Sequence, residues 1–186
     1  MIIGIKDRDR VLLAYSAFDT YFEVPVEDMV LPDNTCVWKV GRNPHTVMGC
    51  GLYSAESDAF RYEEGIFKGR ITCERLIDEI IPAMEKFADG KPHLSGNDRF
   101  EEFLIAQDDK LFHIEAEHIA FEEDSFCVIG GSTEGHVKGL LLATEGQPAT
   151  ERIRKAFEFA AKARQSFAYP ISVIDTKTCK LKVLKK

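Results

Sequence analysis

The chain has 186 residues, of which 45% are hydrophobic and 30% charged, and its formal net charge is −7. This length suits one domain with a sizeable core, so we expect a single domain over residues 1–186. The acidic balance argues against a nucleic-acid backbone or an anionic membrane surface as the natural partner. Five scattered cysteines, no signal peptide and no transmembrane-length apolar run predict a cytoplasmic protein.

The first part of the chain predicts two strand pairs. Ile2–Ile5 and Val11–Tyr15 are apolar runs separated by a charged segment, which is typical of a hairpin. The aromatic and acidic stretch from Phe18 to Asp33 predicts an extended loop. Cys36–Val40 and Thr46–Cys50 flank a Gly-Arg-Asn-Pro turn, which predicts a second pair of strands.

Two helices are predicted next. Ser54 is a candidate N-cap for the first, whose apolar positions extend to Ile66. Thr72 opens the second, which carries apolar residues at helical spacing as far as Phe87. Pro82 falls inside that pattern and predicts a kink or a break, because proline lacks the backbone N–H that a helix interior needs.

The second half of the chain predicts strands, then two helices, then two closing strands. The predicted strands are Phe103–Gln107, Leu111–Ile114, His118–Phe121, Phe126–Ile129, Ile171–Asp175 and Leu181–Leu184. The predicted helices run from about Glu134 to Thr144 and from Thr150 to Arg164. Helices grouped in pairs between clusters of strands favour an α+β fold, in which two antiparallel sheets are flanked by helices as a four-layer αββα sandwich.

Several segments resemble, in order and spacing, those of the proteasome subunits and HslV, which are N-terminal-nucleophile (Ntn) hydrolases. Ile3-Gly4-Ile5 followed by Val11-Leu12-Leu13-Ala14 resembles the first hairpin of that family. Met48-Gly49-Cys50-Gly51 resembles its second strand pair entering a glycine-rich turn. Cys127-Val128-Ile129-Gly130-Gly131, with Gly139-Leu140-Leu141 in the next helix, resembles its central block. The resemblance covers nearly the whole chain and implies the Ntn hydrolase-like fold.

The catalytic residues of that family do not carry over to this sequence. In the family the first residue of the mature chain is Thr, Ser or Cys, whose side chain attacks and whose free amine takes the proton. Here Met1 stands opposite the residue after the nucleophile, and the next acidic position falls on Ser16. The family's lysine falls on Cys36 and its supporting serine on Gly131, beside Ser132. We therefore expect a pseudoenzyme, with Met1, Ser16, Cys36, Gly131 and Ser132 marking a vestigial cleft.

Two functions remain open at this point. The first is a non-catalytic subunit that assembles with copies of itself or binds a protein or peptide; we expect a homo-oligomer, with Phe18, Tyr21 and Phe22 as candidate anchors. The second is a peptidase or amidase that uses relocated residues, with Ser16, Cys36 or Cys50 as the nucleophile and His45 beside Cys50. Ile2 is expected to prevent removal of Met1.

The sequence predicts neither a cofactor nor a bound metal. His113, Glu115 and Glu117 share one face of a continuous strand and are metal-ligand types, but a zinc site needs a closing ligand from elsewhere. A solvated strand face is the preferred interpretation. The glycine-rich segment 130–135 resembles a phosphate cradle, yet it lacks the Lys-Ser/Thr of a P-loop, and Glu134 repels anions. A strand-to-helix turn is preferred there.

Overall fold

A computed structural model describes residues 1–16, 18–19, 24–25, 37–40, 47–51, 64–89, 102–115, 119–130, 133–163, 171–178 and 180–185. The strands in this part of the chain are β1 (Ile2–Lys6), β2 (Val11–Ser16), β3 (Phe18–Asp19), β4 (Val24–Pro25), β5 (Val37–Val40), β6 (Val47–Gly51), β7 (Phe103–Gln107), β8 (Lys110–Ile114), β9 (Ala120–Glu122), β10 (Phe126–Ile129), β11 (Ile171–Asp175) and β12 (Leu181–Leu184). The helices are a 3₁₀ turn (Glu64–Phe67), α1 (Cys73–Arg75), a π-helical segment (Leu76–Ile80), α2 (Ile81–Asp89), α3 (Glu134–Ala143) and α4 (Ala149–Lys162).

The first sheet has the strand order β10-β1-β2-β11-β12, and all of its described pairings are antiparallel. Alternate side chains of a strand point to opposite faces. Ile3 and Ile5 of β1 therefore share the face that packs against α3 and α4, where they meet Val137 and Phe157 in one buried apolar cluster. This cluster joins the first sheet to its helical layer.

The second sheet has the order β5-β6-β7-β8-β9 and is also antiparallel. Phe103 and Phe112 pack on the helical segment 73–89 through Leu76 and Met84, all of which are fully or almost fully buried. The Thr72 hydroxyl caps this segment by accepting a hydrogen bond from the Arg75 N–H at 3.1 Å, which satisfies one of the free donors of the first turn.

The two sheets pack face to face through a third apolar cluster. Leu13 of the first sheet meets Leu104 and Leu111 of the second in this interior. Gly4 lies at a close approach of the sheets, since a Cβ built on it would stand 2.8 Å from Leu111 Cδ1. Helices, sheet, sheet and helices therefore form the predicted four-layer αββα sandwich, and the α+β fold class is confirmed. In the part of the chain described, no helix is long and apolar enough to cross a bilayer.

Most predicted strands match the observed ones to within a residue or two. Within the predicted early loop, β3 and β4 pair with each other as two-residue strands. The strand predicted at His118–Phe121 is observed at Ala120–Glu122. Pro82 follows the π-helical segment at the start of α2, and such a segment is a recognised way for a helix to change its hydrogen-bonding register. Most of the helix predicted from Ser54 lies outside the described residues; Ile66 belongs to the 3₁₀ turn.

Candidate functional site

Four strand ends meet at one edge of the first sheet. Ile2, at the start of β1, pairs with Ile129 at the end of β10 and with Tyr15 near the end of β2. Ile171, at the start of β11, pairs with Ser16. We call this region the strand-head edge and define it by Met1, Ser16, Ile129 and Ile171. The pairings above place Ser16, Ile129 and Ile171 there, and Met1 directly precedes β1.

The sequence-predicted cleft residues are placed only in part. Met1 precedes β1 and the backbone of Ser16 ends β2 at the strand-head edge, and Gly130 follows Ile129, the last residue of β10. Gly131, Ser132 and Cys36 themselves lie outside the described residues, as do His45 and the side chains of Ser16 and Cys50. Of the five predicted positions, the structure therefore describes a side chain for Met1 alone.

The described side chains of the strand-head edge are apolar and buried. Met1 is 8% exposed and packs in the cluster between the first sheet and its helices, together with Ile3 and Ile171. Ile129 is fully buried between the sheets. A thioether and aliphatic groups neither attack a carbonyl nor accept a proton from a nucleophile, so these side chains supply hydrophobic packing.

A second location gathers chemically active side chains from both sheets. His113 of β8 alternates with Phe112 and Ile114, which pack on the helices, so its side chain faces the first sheet. One potential ligand atom each from His113, Glu123 and Cys127 lies within 4.8 Å of the other two. We call these three residues the His113 cluster. Glu123 comes directly after β9, and Cys127 belongs to β10.

The imidazole of His113 lies between two carboxylates. Its Nδ1 is 3.5 Å from Glu123 Oε1, and its Nε2 is 3.9 Å from Glu102 Oε1. The His113 side chain is 8% exposed, and Nε2 has no hydrogen-bond partner among the residues that the structure describes. Because an unsatisfied buried polar atom is costly, this nitrogen calls for a physical explanation.

Burial and charge perturb the groups around the His113 cluster. Burial raises the pKa of the Cys127 thiol above its ordinary value, and the nearby Glu123 carboxylate raises it further. Burial also raises the pKa of Glu102, an effect that the charge of His113 opposes. Lys138 of α3 is held by Glu134, with Nζ 2.6 Å from Oε1. The Cys127 thiol therefore favours its protonated form and is a poor nucleophile as it stands.

The His113 cluster differs from the metal hypothesis raised by the sequence. That hypothesis joined His113 to Glu115 and Glu117, whereas the structure brings His113 to Glu123 and Cys127. Glu115 follows the end of β8, and Glu117 lies outside the described residues. His113 and Cys127 belong to different sheets, so the spacing of these residues along the chain does not indicate that they lie close together. The sequence does indicate that His113 shares a strand face with the apolar Leu111, two residues earlier, and therefore points into the protein.

Comparison with solved structures identifies the fold. BPH from Thiobacillus denitrificans superposes with a TM-score of 0.68 and 13% identity, covering 95% of this chain and 97% of its own; another structure of it is a complex with epoxomicin. Anbu from Yersinia bercovieri, described as an ancestral β-subunit, gives a TM-score of 0.64 and 10% identity, over 98% of this chain and 85% of its own. HslV from Trypanosoma brucei superposes with a TM-score of 0.54 and 15% identity, covering 94% of this chain and 97% of its own.

These likenesses establish the fold. The chain has the fold of the proteasome and HslV-type Ntn hydrolases, as the sequence resemblance predicted. No protein-family model matches the chain, and no curated protein matches it by sequence. At identities of 10 to 15%, fold likeness does not transfer an activity, so function must be argued from this chain's own residues.

Proposed function

We propose that this chain is a non-catalytic, proteasome/HslV-like subunit that assembles with copies of itself or binds a protein or peptide. The observation that carries the proposal is the apolar, buried character of the strand-head edge. There the Met1 side chain is 8% exposed and packs among aliphatic residues. Chemistry of the Ntn type needs a hydroxyl or thiol at the head of this strand and an amine that takes its proton.

Exposed apolar side chains on the helical layers support an assembly role. Leu142 of α3 is 61% exposed, and Ile77 on the opposite helical layer is 47% exposed. A contact with another protein chain on either helical layer would bury one of these side chains. Anbu from Pseudomonas aeruginosa, whose fold this chain shares at a TM-score of 0.67, has been observed as a helical assembly. The net charge of −7 suits a protein partner better than a nucleic acid or an anionic membrane.

A turnover assay tests the proposal against the alternative of a peptidase or amidase with relocated residues. The full chain is incubated with a panel of fluorogenic peptide amides, beside the variants Ser16→Ala, Cys36→Ala and Cys50→Ala. The matched control is Cys73→Ala, which removes a half-buried thiol on the helical layer of the second sheet. We expect no turnover above buffer for any of these proteins.

Epoxomicin provides a second arm of the same experiment. BPH has been observed in complex with this compound, so BPH serves as the positive control. We expect no mass adduct on this chain under conditions in which BPH forms its complex. Reproducible turnover that is lost in Ser16→Ala, Cys36→Ala or Cys50→Ala but kept in Cys73→Ala would overturn the non-catalytic proposal.

A further inference from the structure

We propose that His113, Glu123 and Cys127 bind a divalent cation of the zinc class, with Glu102 orienting the imidazole. This site is independent of the proposed function, because it lies between the sheets and uses none of the strand-head residues. Zn²⁺ is bound in proteins by imidazole nitrogen, thiolate sulfur and carboxylate oxygen, and the His113 cluster offers one of each. The thiolate favours a borderline-soft metal over Mg²⁺ or Ca²⁺.

The distances within the His113 cluster suit such a cation. Ligand atoms lie within 4.8 Å of one another, whereas Zn–N and Zn–S bonds of about 2.1 and 2.3 Å place tetrahedral ligands roughly 3.5 Å apart. Nδ1 of His113 and Oε1 of Glu123 are already separated by 3.5 Å. The widest separation among the three ligand atoms would shorten by up to about 1.3 Å on binding.

The position of the buried His113 ring between two carboxylates, Glu123 on the Nδ1 side and Glu102 on the Nε2 side, supplies the second indication. With a cation on Nδ1, the ring proton is fixed on Nε2, which faces Glu102 Oε1 at 3.9 Å. Metal-binding histidines characteristically donate their other N–H to a carboxylate, and this fixes the orientation of the ring. A bound cation therefore accounts for why a buried imidazole, 8% exposed, lies between two carboxylates.

Charge and access also suit a cation. Glu123 and Glu102 are 28% and 35% exposed, so the site opens to solvent. Three protein ligands leave a fourth position for water or another small ligand. Lys138, held by Glu134, is the cationic group that competes for the same negative charge.

Metal titration of the full chain tests the site. Protein stripped with a chelator is titrated with CoCl₂, and the thiolate-to-cobalt charge-transfer absorption is recorded; ZnCl₂ is then added in competition, and bound zinc is counted by elemental analysis. We expect one equivalent of metal and a charge-transfer band that Zn²⁺ abolishes. Cys127→Ser should lose the band, and His113→Gln and Glu123→Gln should weaken binding at least about tenfold.

Two further variants probe the surroundings of the site. Glu102→Gln should keep the cobalt band but weaken binding by about 10- to 100-fold, as loss of an orienting carboxylate does. Lys138→Gln should strengthen binding, because it removes the competing cation.

Matched controls of the same residue types separate the site from adventitious binding. Cys73→Ser, His136→Gln and Glu122→Gln change a cysteine, a histidine and a glutamate outside the His113 cluster, and each should bind cobalt as the unaltered chain does. Circular dichroism of the stripped variants checks folding; if His113→Gln or Cys127→Ser misfolds, the partly exposed Glu123→Gln decides. Absence of stoichiometric binding, or binding that folded Glu123→Gln retains in full, overturns the site.

Discussion

The strand-head edge and the His113 cluster share strand β10 but differ in almost every chemical respect. Ile129, at one end of β10, belongs to an edge whose described side chains are aliphatic or thioether and buried. Cys127, two residues earlier, faces His113 and Glu123 across the space between the sheets. Within the described residues, groups able to bind a cation or move a proton therefore gather away from the edge to which the fold resemblance points.

The two regions show that likeness of fold and likeness of chemistry are separate questions. This chain superposes on BPH over 95% of its length at only 13% identity. Here the layers are built by apolar residues that alternate along the strands. The side chains at a particular strand end are free to change without loss of that alternation. Fold likeness therefore locates a place to look for chemistry, while the residues at that place decide whether chemistry occurs there.

The largest effect on the free energy of unfolding is expected from truncating a buried side chain at the strand-head edge. Ile171 is fully buried in the same cluster as Met1, so Ile171→Ala should lower the free energy of unfolding by about 2–5 kcal/mol through lost burial and a residual cavity. Val183, on the neighbouring strand β12, is 44% exposed, and Val183→Ala should change it by no more than about 0.5 kcal/mol. If urea denaturation gave equally small losses of stability for Ile171→Ala and Val183→Ala, the strand-head edge would be an open cleft. That result would contradict its description as a buried apolar region.

Zinc is expected to stabilise the chain through the His113 cluster. A ligand that binds only the native state at about 100 times its Kd adds about 2.7 kcal/mol to the free energy of unfolding. ZnCl₂ should therefore raise the thermal midpoint of the stripped protein. At the same zinc concentration the stabilisation should fall to about 1.4 kcal/mol or less in Glu123→Gln, whose binding is at least about tenfold weaker, while Glu122→Gln retains it in full. A rise of the same size in both variants would contradict specific binding.

Gly4 offers a way to disturb the packing between the two sheets beside the His113 cluster. It pairs with Cys127, and a Cβ at this position would stand 2.8 Å from Leu111 Cδ1, so Gly4→Val should push the sheets apart at a cost of about 1–3 kcal/mol. The same change should weaken cobalt binding, because His113 and Cys127 belong to different sheets. In the control Gly139→Ala, nothing lies within 4 Å of the new Cβ; the helix should gain about 0.5–1 kcal/mol. Unchanged cobalt binding in Gly4→Val would contradict the inter-sheet placement.

The smallest effect on stability is expected at the exposed helical surface. Leu142 is 61% exposed, so Leu142→Glu should change subunit stability by no more than about 0.5 kcal/mol. If α3 contributes to assembly, the same change should reduce the assembly mass measured by light scattering. Ala161→Glu places the same charge on an exposed position of α4 and should leave the mass unaltered. Loss of mass in both variants would point to non-specific repulsion.

The sequence predicted the layers well because their signals are local. Strands Ile171–Asp175 and Leu181–Leu184 were predicted with the observed bounds, since apolar runs between turn residues mark them directly. The pair β3–β4 was missed because two-residue strands carry no periodic pattern. Pro82 predicted that its helix would be disturbed. It did not predict that the disturbance would be a π-helical segment ending at Ile80.

The candidate sites were harder to predict for a physical reason. The family resemblance placed Met1 and Ser16 near each other, but the burial of Met1 depends on packing against α3 and α4 that only the folded chain defines. The His113 cluster depends on two sheets meeting face to face, so Glu123 and Cys127 gave no spacing signal relative to His113. Local patterns specify elements, whereas contacts between sheets specify sites.

Native mass spectrometry of freshly purified full chain tests the central claim most directly, because it reads assembly mass and subunit mass together. The proposal of a non-catalytic assembly subunit predicts an oligomer whose subunits retain Met1. Subunits trimmed to begin at Thr, Ser or Cys would contradict it and restore N-terminal-nucleophile chemistry.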